Sequence, residues 1–558
     1  MQKFGIDSGG LYLADATGSE IANFNVRVLD VFYLAEDGHT PGMIRAWILH
    51  RNQQYLVDLD LRAGSLVKQI QQKVSTCRLL KRGVSSRIEA HIMELPSEID
   101  VPSLRPPIYF SQHGFFKLVD GNWVFVAGDE VLGLSQDQKA AIAPAVARAH
   151  LACDAMASES QAVNKFWSVL EKNRETLLPV WSFTLLSAMR SLLASIDITT
   201  YPVCSVTGMQ GYGKTTTCQR FSLLYDDNQR PGQRWGELDA KSSAAAAIET
   251  ISRFRDQPVL LDDIAKSISP SQVRERKERL AEMLRFASNG TSREKIDRTG
   301  EVQELFCKAG LIYTGEFPID NPSDIGRIVP VRIEKPLQNG NPQDRILAAT
   351  VFRHFIVWFL PQVDESVASL KQELEPVYGD YQRLQKNRIM MLWALQKFLD
   401  FVQEVGAITE QETEQTMNKA IQVCNEMLNE QIKQTNRLET SDTLSYYILK
   451  GLRKGIVQRI SEKEWQKGKR LPAYYYVHQK KNEAIYITTE VLYRYFNEKT
   501  PLRLTSIQEM DKKLIEEGIL HPRKEGKAAS KKIGGRRYLE LRETELLRAI
   551  SESLTDFV

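Results

Sequence analysis

The sequence has no C-x-x-C pair, no apolar core near its start, and no long hydrophobic run free of charge. Its six cysteines (Cys77, Cys153, Cys204, Cys218, Cys307, Cys424) are scattered over 558 residues. That spacing argues against a zinc site or a disulfide framework and suits a reducing compartment. The opening residues, MQKFGIDSGG, are not those of a signal peptide. The most apolar stretches, 140–157 and 351–360, contain Arg148, His150, Arg353 and His354, so no membrane span is expected. The expectation is a cytoplasmic protein with no membrane partner. Charge of one sign is scarce too, with a formal net of +3, while the 42% hydrophobic and 26% charged fractions are those of a soluble globular chain. The length calls for roughly three or four domains.

What is present centres on GMQGYGKT, residues 208–215. The spacing G-x-x-x-x-G-K-T is that of a phosphate-binding loop. Gly208, Gly211 and Gly213 let the backbone wrap a phosphate and aim N–H groups at it. Lys214 would reach the β- and γ-phosphates, Thr215 would complete a Mg²⁺ shell, and Thr216 joins the nucleotide contacts. A short buried strand at 201–206 runs into the loop, and 216–224 can continue as a helix whose N-terminus faces the anion. ATP and Mg²⁺ are therefore the expected ligands.

A second apolar strand, PVLLDD at 258–263, ends in two carboxylates, with Asp262 lying 48 residues beyond Lys214. This is the pattern of a Walker-B element, in which Asp262 holds Mg²⁺ through water and Asp263 polarises the attacking water. The strand AGLIY at 309–313 runs on to Thr314, a polar residue at a strand tip placed to sense the γ-phosphate. Beyond it, Arg327 and Arg332 are alternatives for an arginine finger acting in a neighbouring subunit, or for a surface salt bridge. Between the acidic strand and Thr314, residues 291–301 form a long charged insertion. Its Lys295 and Arg298 could grip a phosphodiester backbone from a hairpin tip, make an intersubunit contact, or lie on a plain surface loop.

The flanks are different in character. Residues 1–150 alternate apolar and polar at 43–50 and 54–61 and carry a hairpin signal at 115–127, with Asp120-Gly121-Asn122 as its turn. Residues 163–196 turn helical, with a break expected near Pro179. Residues 345–438 are helical throughout, and the aromatics of 352–359 belong to a core. From about 440 the chain turns basic, with 21 Lys and Arg against 11 Asp and Glu over 451–540. Helix, helix, then strand, basic loop (523–532) and strand is the order of a winged-helix domain. Lys524, Lys527, Lys531, Lys532, Arg536 and Arg537 are its candidate DNA contacts; binding a protein instead is the alternative.

Taken together, the loop, the acidic strand, the strand ending in Thr314 and residues 324–332 resemble the AAA+ ATPases, in particular their ring helicases of the MCM-like or superfamily-3-like kind. More narrowly, FASNG at 286–290, the SREK that follows and the IYTGE strand end resemble the DUF927-type helicase-like proteins of bacterial mobile elements and phages. The resemblance covers about 110–333. It implies an α/β AAA+ P-loop core (151–340), to which the flanking residue patterns add a β-rich N-terminal domain (1–150), a helical lid or bundle (341–440) and a C-terminal winged-helix domain (441–558). It also implies a homo-hexameric replicative helicase or translocase. Such a ring draws single-stranded or forked DNA through its centre, and other replication proteins would dock on the N-terminal domain. Two departures stand out. Asp263 replaces the glutamate common in AAA+ proteins, and Thr314 stands where superfamily-3 helicases usually place asparagine. An ATP-regulated initiator or switch without unwinding activity, and a defence or chaperone-like ATPase acting on protein, are the competing functions.

Overall fold

The computed structural model describes residues 5–6, 13–14, 18–95, 106–230, 232, 234–239, 243–264, 270–289, 293–296, 302–315, 321–338, 340–379, 381–441, 443–461, 472–479, 484–500, 502, 504–520, 530–533, 536–542 and 546. They fall into two compact units. The first comprises Met1–Pro318 with Arg327–Cys424, the second Ile319–Gly326 with Asn425–Val558.

The first unit begins with a five-stranded mixed sheet in the order Ala140–Ile142, Ile108–Phe110, Asn25–Leu34, Pro41–His50, Gln53–Asp60. Alternation from Ile44 to His50 buries Ile44, Ala46 and Ile48 against the helices Leu66–Lys73 and Ser85–Glu94. Arg51 and Asn52, both at positive φ, join Pro41–His50 to Gln53–Asp60 by a two-residue turn, whose twist matches the strands it connects. The hairpin expected at 115–127 is formed by Gly114–Lys117 and Trp123–Ala127, and Glu130–Leu132 adds a third strand. In its turn the Asp120 carboxylate accepts from Asn122 N at 3.0 Å, fixing the bend that Gly121 permits.

The helical stretch that follows breaks at Asn173 and again after Ala188, into Glu159–Lys172, Arg174–Ala188 and Arg190–Ser195. The expected break at Pro179 does not occur. That proline is the sixth residue of Arg174–Ala188, and the helix, buried along most of its length, runs through it. The helix lies hard against the central sheet. A Cβ placed on Gly310 would come within 1.9 Å of Ser187 Oγ, so only glycine fits there.

That sheet is all parallel, in the order Glu237–Asp239, Arg255–Ile264, Lys308–Gly315, Val203–Gly208, Ile328–Ile333. Val203, Cys204, Val259, Leu260, Leu261, Leu311 and Ile312 are fully buried, as the near-continuous apolar runs of a sheet covered on both faces require. The insertion is a hairpin in which Arg293–Ile296 pairs antiparallel with Val302–Leu305. After the sheet come the helices Asp344–Phe359, Val363–Leu374, Gln382–Glu404 and Glu410–Ser441. Asp344–Leu374 is long and apolar enough to cross a membrane by length and composition, yet 56% of its most apolar window is buried within the protein. There Phe355 meets Phe398 and Phe401 edge-on at 6.3 and 5.8 Å between ring centroids.

The second unit has its own core. Tyr447, Ile448, Tyr486, Leu492, Tyr495, Phe496, Leu514 and Leu541 pack together from the helices Leu444–Arg453, Thr489–Lys499 and Ile507–Glu516 and a five-stranded sheet. Sheet order is Gln458–Ile460, Tyr475–Gln479, Ala484–Thr488, Arg536–Arg542, Ser530–Ile533. The strands expected at 484–488 and 536–541 are both in it, and it holds more strands than a winged-helix hairpin alone. Lys531 and Lys532, expected in a loop, belong to the strand Ser530–Ile533 and pair with Tyr538 and Arg537. Ile533 on their own strand and Tyr538 on the partner strand are the residues there with strand preference.

Candidate functional site

The loop strand Val203–Gly208 ends against the edge strand. A Cβ on Gly208 would come within 2.4 Å of the Ile333 carbonyl oxygen, so the backbone turns there only without a side chain. Gly213 caps the following helix, Lys214–Phe221, in the left-handed conformation at φ 81°. Gly211 also has positive φ and open space where a Cβ would be. The result is a bend whose amides precede a helix N-terminus, the arrangement that suits an anion.

Lys214 folds back over this bend. Its ammonium donates to the carbonyls of Gly208 at 3.0 Å and Met209 at 3.1 Å. One residue on, Thr215 Oγ1 donates to Asp262 Oδ1 at 2.6 Å, and Thr314 Oγ1 donates to the same oxygen at 2.7 Å. Three elements therefore converge on one carboxylate: the helix after the loop, the acidic strand Arg255–Ile264 and the central strand Lys308–Gly315. Sheet order explains the meeting, because Lys308–Gly315 stands between the loop strand and the acidic strand and sets Val206 beside Thr314. Beneath them Thr217 Oγ1 donates to Gly213 O at 2.8 Å and ties the helix start to the loop. Burial pushes the Cys218 thiol up, and the nearby Asp262 charge adds to this, so the cysteine in this helix is inert packing.

The other candidates are placed differently. Asp263 follows Asp262 in the same strand, with a side chain outside the described residues. Arg332 lies on the edge strand in register with Thr207, near the loop. Arg327 precedes that strand; its carbonyl accepts from Val203 N at 2.8 Å, at the opposite end of the sheet from the loop. Lys295 lies in the insertion hairpin, paired with Gln303 along the backbone. Lys531, Lys532, Arg536 and Arg537 lie in the terminal hairpin of the second unit. Arg298, Lys524 and Lys527 are outside the described residues.

Beside Thr216 the fold opens a cavity of about 520 Å³ that sequence reading did not foresee. Arg220, Arg234, Arg345, Asp226 and His150 line it. Arg345 is fixed there by donating to Leu223 O at 2.7 Å and pairing with Asp226 at 2.8 Å. Burial, with Arg345 and Arg220 adding their charge, pulls the Arg234 guanidinium below its usual range even though Glu237 and Asp226 oppose them. The one signal available was Arg220, four residues after Thr216 and so on the same face of the helix. Arg234 and Arg345 come from distant segments. Among the described residues, no group of three or more His, Cys, Asp or Glu is placed to hold a metal ion.

No protein-family model and no curated protein matches this sequence. Among solved structures, one described as "SCCmec type IV Cch - active helicase" is similar over 99% of both chains, at a TM-score of 0.55 and 12% identity. At that identity the likeness is one of fold, and it extends over nearly the whole chain. A JCV helicase bound to a small molecule (TM-score 0.21, 14% identity, 42% of this chain and 74% of that one) aligns too loosely to fix a shared architecture. The same is true of the C-terminal region of NrS-1 in an apo form (TM-score 0.23, 10% identity, 72% and 87%).

Proposed function

We propose that the protein is an ATP-hydrolysing DNA helicase or translocase of the mobile-element type, with an AAA+ P-loop core working as a homo-hexameric ring. The observation that carries this reading is the shared carboxylate: Asp262 Oδ1 accepts from both Thr215 and Thr314 at the mouth of the glycine loop. A surface turn has no need to bring a helix N-terminus, a strand-end acid and a second strand-end hydroxyl to one point. The full-length likeness to a structure described as an active helicase supports the choice of motor among P-loop functions.

The loop amides and Lys214 would take the triphosphate, with the ammonium leaving the carbonyls of Gly208 and Met209 for phosphate oxygens. The donors at Thr215 and Asp262 are hard oxygens, which fits Mg²⁺ better than a softer metal. Bound there, Mg²⁺ supplies charge neutralisation on the β- and γ-phosphates. Asp263 orients and polarises the attacking water. Thr314, bonded to Asp262, reports whether the γ-phosphate is in place. The cavity beside Thr216 is of a size for a nucleoside and adjoins the helix start that would take the phosphates. Arg327 lies just before its strand, six residues short of the position paired with Gly208 and roughly 20 Å away along the sheet, so its catalytic role is in a neighbouring subunit's site. Lys295 and Arg298 on the hairpin, and Lys524, Lys527, Lys531, Lys532, Arg536 and Arg537 in a winged-helix domain, would hold DNA.

The test is strand displacement on a forked duplex with ATP and Mg²⁺. Unwinding that disappears in Lys214→Ala is expected. DNA-stimulated hydrolysis with no displacement in either polarity would overturn the helicase reading and leave an ATP-driven assembly switch. Hydrolysis indifferent to DNA would instead point to a protein substrate.

A further inference from the structure

The acidic strand and the central strand start side by side, with Arg255 in register with Lys308. This end of the sheet, opposite the glycine loop, opens a small cavity of about 150 Å³ at the root of the insertion hairpin. Arg253, Arg255, Lys308 and Phe306 line it, with Glu304 as its one acid. Phe306 follows directly on the hairpin strand Val302–Leu305, and 42% of its surface is exposed. Its ring is therefore within reach of a ligand held by the cations beside it.

The three cations differ in freedom. Arg255 is fixed, since its guanidinium donates to Phe115 O at 2.7 Å and lies 4.3 Å from the Phe116 ring centroid. Arg253 extends into solvent with 70% of its side chain exposed, and its ion pair with Glu249 four residues earlier costs little to give up. Partial desolvation and the facing Arg255 pull the Lys308 ammonium below its usual range. An anion seated between them would relieve that crowding.

We propose that this root is a contact for single-stranded DNA, in which Arg253 and Lys308 hold one phosphodiester and Phe306 stacks the adjoining base. The cavity is about half the volume of even a small nucleoside pocket, so it admits a phosphate group and not a base. The base is left to the exposed ring outside, and stacking of that kind is indifferent to sequence, as a motor requires. An acidic peptide would satisfy the cations but has no flat face to offer Phe306. The inference rests on the DNA reading given above and adds a second grip, at the root of the hairpin rather than its tip.

The experiment is fluorescence anisotropy of the full-length protein with a labelled oligothymidine over a range of salt, alongside DNA-free ATP hydrolysis. Phe306→Ala is expected to weaken binding about 5- to 100-fold, with Phe306→Tyr restoring it. Arg253→Gln with Lys308→Gln should flatten the slope of log affinity against log salt by about 0.7 for the one phosphate lost. DNA-free hydrolysis should stay at the wild-type rate in all of them, since none touches the loop. Wild-type binding with unchanged affinity in Phe306→Ala and an unchanged slope in the double variant overturns the root contact and leaves the motor reading standing. Absence of any DNA binding by the wild type overturns both.

Discussion

The acidic strand Arg255–Ile264 carries a described aspartate near each end, and the two are put to opposite uses. Asp262, near its C-terminal end, is only partly buried and is held by two hydroxyls. Hydroxyls can rotate away and leave its oxygens to a metal. Asp256, near the N-terminal end, is 1% exposed and sits at a φ of 51°. It accepts from Phe115 N at 3.0 Å, from Ser191 N at 2.7 Å and from Ser191 Oγ at 2.5 Å, with Arg255 beside it at 3.5 Å. Backbone amides cannot rotate away, and a Cβ on Gly114 would lie 2.0 Å from the carboxylate. One end of the strand is thus a lock joining the N-terminal hairpin to the parallel sheet, and the other is the site proposed for metal and nucleotide. Burial and the kind of donor distinguish them, not the residue type.

The sharpest way to break this comparison is Asp256→Ala. It leaves two buried amides and a guanidinium without their acceptor, so unfolding free energy should fall by about 3–5 kcal/mol in urea titration. A loss below about 1 kcal/mol would show that this end is not a lock. Asp262→Asn should do the reverse: ATP turnover down on the order of 10²- to 10³-fold, with stability changed by less than about 1 kcal/mol. If Asp262→Asn unfolds the protein as readily as Asp256→Ala does, the two ends are equivalent and the comparison fails.

The locked end should also show itself in pH. His113, whose ring lies 5.8 Å from Tyr225 between centroids, accepts from Gly128 N at 3.2 Å and is fully buried. Burial, then the charge of Arg255, brings it down to about 4 from the usual 6.5. The unfolded chain therefore binds a proton between those values that the folded one refuses, and stability falls as pH drops through that window. The loss should approach about 3 kcal/mol by pH 4. His113→Asn keeps an acceptor for Gly128, and the wild-type minus variant difference in denaturant midpoint across pH isolates the slope. Identical pH profiles would remove His113 from the account. The smallest effect belongs to Thr314→Val. Losing one of two hydroxyls on Asp262 should slow hydrolysis about 10-fold, with little change in nucleotide affinity, as steady-state kinetics would separate.

The same contrast explains what the sequence could disclose. The glycine loop, Thr215 and the acid after an apolar run are adjacent in the chain or fixed by a spacing that chemistry imposes, so they stand out. Thr314 was marked by its place at a strand tip, although only sheet order sets it beside Asp262. Asp256 gave no signal, because its partners are 141 and 65 residues away. Arg234 and Arg345 were hidden for the same reason. Pro179 misled because packing outweighs local preference there: the helix runs through it with Leu177, Leu178, Val180 and Trp181 all buried. In the second unit the helices were legible by period, while Gln458–Ile460 and Tyr475–Gln479 are too short to announce a shared sheet.

The bonds of Lys214 to the carbonyls of Gly208 and Met209 bear on how a nucleotide is told apart from its product. The ammonium has partners of its own, so ligand binding is an exchange reaction and not the capture of a bare charge. A triphosphate offers oxygens that outbid two neutral carbonyls, whereas a diphosphate offers fewer at that depth and the internal pair can re-form. On the proposed reading, the loop would thereby carry its own competitor for the product, the Gly208 and Met209 carbonyls taking back the ammonium that the triphosphate had drawn away.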